Sequence, residues 1–336
     1  MIVATVSSIA CRVRAATSTW APASARASAI ARPMPELPPV TRARRPSRPK
    51  SCSSDIRPGY RRPYAGAVRD DLLPVLACPV CAEPLARVDG GPVGCASGHR
   101  FDEAKQGHLT LLPAKRRALT ADTPDMVDAR IRFFGRGHYA PVERALAEVV
   151  AGATAPGVVL DVGSGPGTYL AHVLEAADDR TGVALDLSPV AIRRAARVHA
   201  RAGAVVGDVT ERLPVVGDAV AVVLDVFAPR NRREYARVLH PGGMLVVVTP
   251  RTGHLAELAE ATIAVDPEKE RRLRESLEPT FVQRRSDDLT WTMDLSAEDV
   301  HDVVHMGPSH HHVDPDRTFA PASVTAAVTV STWTVA

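Results

Sequence analysis

The feature that most constrains this chain is a glycine-rich bend. The sequence LDVGSGPGT at residues 160–168 closes a short apolar run, VVLDV at 158–162. Glycines at such a bend let the backbone approach a ligand and let the following helix pack close to the strand. The surrounding sequence alternates strand-like and helix-like segments. Strand-like runs lie at 158–162, 182–186, 204–207, 219–227 and 244–249. A helix over 190–201 opens on Ser188 as N-cap with Pro189 at its first helical position. A second helix over 232–239 ends at the turn PGG, 241–243. This alternation predicts an α/β fold, a parallel sheet with helices on both faces. Two later strands, near 289–295 and 324–335, alternate Thr or Ser with apolar residues and suit an edge hairpin. Upstream, residues 125–134 and 142–150 have helical spacing, interrupted by GRGHY at 135–139.

Glycine spacing narrows the ligand. Dinucleotide enzymes prefer G-x-G-x-x-G, which opens toward a pyrophosphate. Here Gly163, Gly165 and Gly167 give G-x-G-x-G, with Pro166 inside the loop and Asp161 before it. A carboxylate at Asp161 suits the cationic amino end of S-adenosylmethionine, which has no phosphate. Asp186 ends the second strand and is placed to accept ribose hydroxyls. Asp208 follows the third strand, where an adenine amino group would lie. Three acids at successive strand ends predict a Rossmann-like, class I S-adenosylmethionine-dependent methyltransferase domain. A plain strand-helix turn with solvated carboxylates and a nicotinamide site are the competing readings.

A second signal lies upstream. Of five cysteines, three fall at 78, 81 and 95. CPVC at 78–81 and CASGH at 95–99 place Cys78, Cys81, Cys95 and His99 as two facing pairs. Two pairs on tight turns complete a tetrahedron of three sulfurs and one nitrogen, a closed structural zinc site. A segment of about 40 residues also needs such a staple to hold its shape. Clustered cysteines in odd number argue for metal binding in a reducing, cytoplasmic compartment and against a disulfide framework.

The organisation expected is therefore an extension at 1–70, a small N-terminal zinc-binding domain at 74–113, a helical linker at 114–155 and the methyltransferase domain at 156–336. The extension is rich in Ala, Arg, Ser and Pro and holds 13 Lys and Arg against 3 Asp and Glu. It reads as disordered, or as a start codon assigned too far upstream, since fold-like sequence begins just after Val68. A basic RNA-binding arm or a transit-peptide-like leader is the other reading. The net charge of +3 thus hides a net acidic remainder, so RNA contact would have to use local basic patches. Arg87, Arg100, Lys105 and the run KRR at 115–117 are the candidates. No apolar run reaches the length of a membrane-spanning helix.

Taken together, these motifs resemble the bacterial 23S rRNA guanine-N1-methyltransferases. The matching blocks are CPVC 78–81, GHRFD 98–102, AKQGHL 104–109, LLP 111–113, GHY 137–139, LDVG 160–163, FAP 227–229, PGG 241–243, and TP 249–250 with HL 254–255. The resemblance spans about residues 74–336. It implies that the finger recognises a hairpin in domain II of 23S rRNA and that the product is a 1-methylguanine near the peptide exit tunnel. It also implies cofactor contacts at Tyr139, around Gly165–Gly167 and at His254, and allows a homodimer. The strings VFAPRN 226–231 and MGPS 306–309 look more like the subtype linked to macrolide, notably tylosin, resistance.

The reaction needs guanine N1 held in line with the methyl group and its proton removed. No residue identifies itself as the base. Asp225, at the end of the fourth strand, is expected to face the methyl site, with capping as its equal alternative. His310, His311 and His312 read as a solvated loop, since neighbours on an extended chain point apart. Two other functions stay open: a small-molecule methyltransferase whose finger is only a staple, and an inactive zinc-dependent RNA-binding protein.

Overall fold

The computed structural model describes residues 68–112, 121–314 and 316–336. The extension up to residue 67 and the basic run 115–117 lie outside the described residues. Packed residues are already present at Val68, ahead of the expected domain start at 74. Val68, Leu72 and Leu73 are buried around a short 3-10 turn, Asp70–Val75.

The zinc-binding segment is built from very short strands. β1 (Ala86–Arg87), β2 (Val93–Gly94) and β3 (Arg100–Phe101) form a three-stranded antiparallel sheet in the order β1-β2-β3. β4 (Leu109–Thr110) leaves this sheet and pairs parallel with a strand of the main one. Residues 74–113 therefore lend the large sheet its edge strand. Their apolar side chains, among them Leu76, Leu85, Val93, Leu109 and Leu111, share one core with Leu160, Leu185 and Val205.

α1 (Pro124–Gly135) and α2 (Ala140–Ala151) follow. Thr123 caps α1 through its hydroxyl, which accepts from the Met126 N–H at 3.3 Å. Both helices bury an apolar stripe, Val127 and Phe133 from α1 and Val142, Leu146 and Val150 from α2. The expected linker is thus packed onto the domain.

The main sheet is doubly wound. Its strands are β5 (Val158–Val162), β6 (Gly182–Asp186), β7 (Ala202–Val206), β8 (Val220–Val226), β9 (Leu239–Pro250), β10 (Phe281–Leu295) and β11 (Ala322–Val335). The helices between them are α3 (Thr168–Ala176), α4 (Pro189–Ala195), α5 (Arg232–Val238), α6 (Lys269–Leu277) and α7 (Ala297–His305). The strand order is β10-β11-β9-β8-β5-β6-β7-β4, parallel from β9 to β4. Every residue of β5, β7 and β8 is buried, as a sheet covered on both faces requires. Successive residues alternate between two cores: Val159 and Val222 enter one, Leu160 and Val223 the other.

Two expectations change here. The helix expected to reach residue 201 stops at Ala195, because β7 already begins at Ala202 and the chain tightens through i→i−3 bonds at Arg197 and Val198 to meet it. The late hairpin is longer than expected, and only β10 is an edge. β11 lies between β10 and β9, antiparallel to both, and its central residues are buried. Among the described residues no helix is long and apolar enough to cross a membrane.

Candidate active site and metal centre

The metal centre grows from two turns. The first runs from Cys78 to Ala82, whose N–H donates to the Cys78 carbonyl at 2.8 Å. The second runs from Cys95 to His99, with Gly98 at φ +90° donating to the Cys95 carbonyl at 3.0 Å. Glu83 ties the turns together by accepting the Ser97 N–H at 2.8 Å. The donor atoms of Cys78, Cys81, Cys95 and His99 all lie within 4.8 Å of one another. Individual separations are 3.5 Å for Cys81 Sγ to Cys95 Sγ, 3.6 Å for Cys78 Sγ to His99 Nδ1 and 3.3 Å for Cys95 Sγ to His99 Nδ1. A tetrahedral ion with its usual zinc–ligand lengths needs donor separations of roughly 3.5–3.8 Å. The donor set fits zinc with no position left open. The Val80 N–H points at Cys78 Sγ at 3.4 Å, which suits a thiolate. The basic residues expected to read RNA from this segment differ in availability. Arg87 is engaged, paired with Glu103 and with Asp70 at 2.8 Å. Arg100 and Lys105 are exposed.

A cleft of about 1110 Å³ lies at the carboxyl ends of the parallel strands. This is where open α/β sheets bind ligands. β5 ends in the glycine loop, whose Gly163 and Ser164 N–H groups both donate to the Leu185 carbonyl of β6. Gly163 has φ +65°, and a Cβ there would meet the Ala228 methyl at 2.6 Å. Only glycine lets these two strand-end loops touch. Gly163, Ser164 and Gly165 line the cleft. Pro166 and Gly167 are buried behind them, with Gly167 at φ +81° as N-cap of α3. They shape the loop and do not line the cavity.

All three strand-end acids reach the cleft. Asp161 is 1% exposed, and its Oδ2 has no hydrogen-bond partner. Burial, then the negative charges of Asp186 and Asp225, hold its carboxyl well above the usual carboxylate range. A buried carboxyl with one unpartnered oxygen beside glycine backbone is a fit for a cationic amino group, which would restore its charge. Asp186 accepts the Gly165 N–H at 2.8 Å and the Ser188 N–H at 2.7 Å. Each oxygen keeps a lone pair for a ligand hydroxyl. Asp208 Oδ1 accepts the Thr210 N–H at 2.9 Å and its hydroxyl at 2.6 Å. These acids together fit S-adenosylmethionine.

Tyr139 and His254 meet in the same cleft. The His254 Nδ1 accepts the Ala327 N–H at 3.1 Å, so its neutral ring carries the proton on Nε2. That nitrogen donates to the Tyr139 oxygen at 3.2 Å and leaves the phenol hydrogen to point elsewhere. Burial, then Lys269, lowers the imidazole to about 4, which keeps it neutral.

Of the two sequence readings of Asp225, the one that faces the methyl site is not what the structure shows. Strand alternation sends Val226 into the cleft wall and turns Asp225 into the core, where it is fully buried. There it accepts from the Tyr235 hydroxyl at 3.0 Å, and burial raises it to about 7. The same hydroxyl lies 3.0 Å from the Pro229 carbonyl. Asp225 braces the loop after β8 and does not face a substrate.

Several lining residues had no role assigned from the sequence, although Phe227, Arg230 and Met306 to Ser309 lie in strings that carry the family resemblance. Phe227 follows β8 in the left-handed region, φ +57°, and is 39% exposed. Such a conformation costs a phenylalanine about 1–3 kcal/mol and persists where neighbours fix it. Arg130 of α1 sits against Gly165, pairs with Asp122 at 2.6 Å and donates to the Met306 carbonyl. Arg230, Lys269 and Arg272 also line the cavity. Met306 to Ser309 form another wall, held from behind by a contact of 3.1 Å between the Nδ1 atoms of His305 and His310. His311 and His312 are exposed.

Known proteins match both halves. Residues 76–118 match a zinc-ribbon family described as "RlmA, N-terminal", and residues 159–243 match a methyltransferase domain. The 23S rRNA (guanine(748)-N(1))-methyltransferase of Streptomyces fradiae is 46% identical over 256 residues, covering 74% of this chain and 90% of the relative. A Micromonospora griseorubida protein, provisionally assigned to 23S rRNA guanine-N1 methylation, is 42% identical over 290 residues, 78% of this chain and 98% of its own. A Bacillus subtilis protein with the same provisional assignment is 30% identical over 57% of this chain and 70% of its own. A zinc ribbon on one core with a class I methyltransferase sheet, matched over 90% and 98% of the first two of these relatives, places this chain in the family of bacterial 23S rRNA guanine-N1-methyltransferases.

Proposed function

We propose that the protein methylates N1 of a guanine in a domain II hairpin of 23S rRNA, at the position corresponding to guanine 748 of the Streptomyces fradiae relative, and that this mark lowers macrolide binding. The observation that carries the reading is the cleft itself. Buried acids at the ends of β5, β6 and β7 share it with an aromatic and basic wall after β8. Its volume, about 1110 Å³, lies just above the roughly 300–1,000 Å³ usual for small-ligand clefts, in keeping with a base beside a cofactor.

Bound S-adenosylmethionine supplies an electrophilic methyl group. On this reading Asp161 holds its amino end, Asp186 its ribose hydroxyls and Asp208 its adenine. Gly163 and Gly165 admit it by exposing backbone, and the Tyr139 hydroxyl, oriented by His254, contacts it. Cys78, Cys81, Cys95 and His99 hold one structural zinc, which supplies shape and no chemistry. Guanine N1 lies on the pairing edge, so the target nucleotide has to leave its stack to reach the cleft. Exposed Arg100 and Lys105 on the ribbon are placed to meet the hairpin backbone. A ribosomal substrate sets the work in the cytoplasm.

Methyl transfer from labelled cofactor to 23S rRNA of a strain lacking the modification tests this. Primer extension should stop at one domain II guanine, and expression in that strain should raise its tolerance of tylosin. No incorporation, by protein that binds the cofactor, overturns the reading.

A further inference from the structure

The cleft holds two kinds of charge, and only one kind is used by the cofactor. Asp161, Asp186 and Asp208 gather at the strand ends. Arg230, three residues beyond Phe227, and Lys269, the first residue of α6, line the same cavity. Among the described residues neither cation forms an ion pair. The Arg230 Nε is buried and has no hydrogen-bond partner. The two side chains are near enough for Arg230 to depress the Lys269 ammonium, with burial the larger cause. By contrast, Arg272 beside them is already paired with Asp266. Arg230 is within electrostatic reach of the buried Asp225 carboxyl and Lys269 within reach of Asp266, but neither is in an ion pair with them. Two neighbouring cations without a paired carboxylate in a cavity are a site for an anion, and S-adenosylmethionine carries no phosphate.

The exposed ring of Phe227 lines the same cavity. It lies 6.3 Å from the His254 ring at 26° and 6.2 Å from the Tyr139 ring. Its strained backbone is fixed on both sides. The Phe227 N–H donates to the Val248 carbonyl at 3.1 Å, and Ala228 is wedged against Gly163. An aromatic face held open in this way is a stacking platform for a base.

We propose that Phe227, Arg230 and Lys269 form the acceptor half of the cleft: the unstacked target guanine lies on the Phe227 ring, and the two cations take a phosphate flanking it. The inference rests on the RNA-methylating reading above. It makes Phe227 a positioning residue and divides the cavity into a cation-binding half, built by strand ends, and an anion-binding half, built by the segments after β8 and β9.

The test uses the full chain, a domain II hairpin RNA and three variants: Phe227→Ala, Phe227→Tyr, and the double variant Arg230→Gln with Lys269→Gln. Cofactor affinity by calorimetry reports whether each variant is folded and should stay within about twofold of wild type. Phe227→Ala should lose roughly 10- to 100-fold in kcat/KM, the range set by base stacking, while Phe227→Tyr restores most of it. The double variant should raise KM for RNA about tenfold. Its dependence of log KM on log salt should flatten by about one, as expected for one lost phosphate contact. With 2-aminopurine at the target position, wild type should change the probe's fluorescence on binding and Phe227→Ala should change it less. Variants that keep wild-type KM, salt slope and probe response overturn the proposal. Wild-type protein that binds cofactor but methylates no RNA overturns the underlying reading, and the acceptor site falls with it.

Discussion

The ribbon and the sheet use opposite strategies to hold shape. The ribbon has three two-residue strands and fixes two turns by four donor atoms within 4.8 Å. The sheet has eight strands, two apolar cores and many interchangeable contacts. The ribbon should therefore fail through single atoms, while the sheet should lose function at single atoms and shape only at a few buried charges. Because the ribbon shares a core with one sheet face and supplies β4, its failure should not stay local.

The largest effect is expected at the metal. Cys81→Ser removes one thiolate from a closed site. Structural zinc contributes about 10–16 kcal/mol to folding of small finger peptides, so the ribbon should not hold without it. Zinc content should fall from one per chain toward zero, and Leu72, Leu109 and Leu111 should lose their partners. Hydrogen exchange should then quicken in β7 as well as in the ribbon. Exchange confined to residues 76–101 would show that the two regions are separable after all.

Next in size is a buried charge on the sheet side. Asp302 of α7 is fully buried and receives Arg132 of α1 at 2.5 Å and Arg136, the residue that caps the end of α1, at 2.8 Å. Asp302→Ala removes the buried carboxylate that both arginines share. Arg132 is 44% and Arg136 32% exposed, and Arg136 keeps Glu298 and Asp299, so the cost is about 1.5–3 kcal/mol, the range of a charge-assisted hydrogen bond. α7 carries the wall from Met306 to Ser309 into the cleft, so the melting temperature and the RNA KM should worsen together. A lower melting temperature with unchanged kinetics would separate that wall from the acceptor.

The contrast also explains what the sequence made readable. β5 and β6 fall at their expected ends because a doubly covered strand is an apolar run bounded by glycine or acid. The ribbon donors were readable because paired spacing is local. α6 was not, since KERRLRESL buries only Leu273 and Leu277. α7 was missed although Ser296 and Asp299 form a capping box, because its apolar stripe is only nine residues long. The aromatic and basic wall was unreadable for another reason. Phe227, Arg230 and Lys269 meet only when the loop after β8 and the crossover after β9 fold over one cleft. Asp225 stayed open between two roles because one residue of strand phase reverses a side chain.

Asp161→Asn tests the cofactor half alone. It should fold as wild type and bind S-adenosylmethionine about 10- to 100-fold more weakly, since a charge-assisted contact gives about 1.5–3 kcal/mol. Burial holds the Asp161 carboxyl high, so binding a cationic amino group must drive its proton off. Cofactor affinity of the wild type should therefore fall on acidification. Calorimetry in buffers of different ionisation heat should show proton release that Asp161→Asn abolishes.

A comparable effect, spread over pH, is expected at His254, where the two halves of the cleft meet. Its folded value, about 4, lies below its ordinary 6.5. Between these values the unfolded chain binds the proton that the folded chain refuses. The contribution is fully present above pH 6.5 and is lost as pH falls through 6.5 toward 4. At about 1.4 kcal/mol per unit, and discounted because the ring is partly exposed, the loss is about 2–3 kcal/mol. Protonation also turns Nδ1 into a donor facing the Ala327 N–H, which breaks the contact that orients the Tyr139 hydroxyl. Urea melts from pH 8 to 4.5 should show this slope in wild type and a shallower one in His254→Gln, whose side chain cannot titrate. Equal slopes would place the acid sensitivity elsewhere, most simply on the zinc ligands, and would return the comparison to the ribbon.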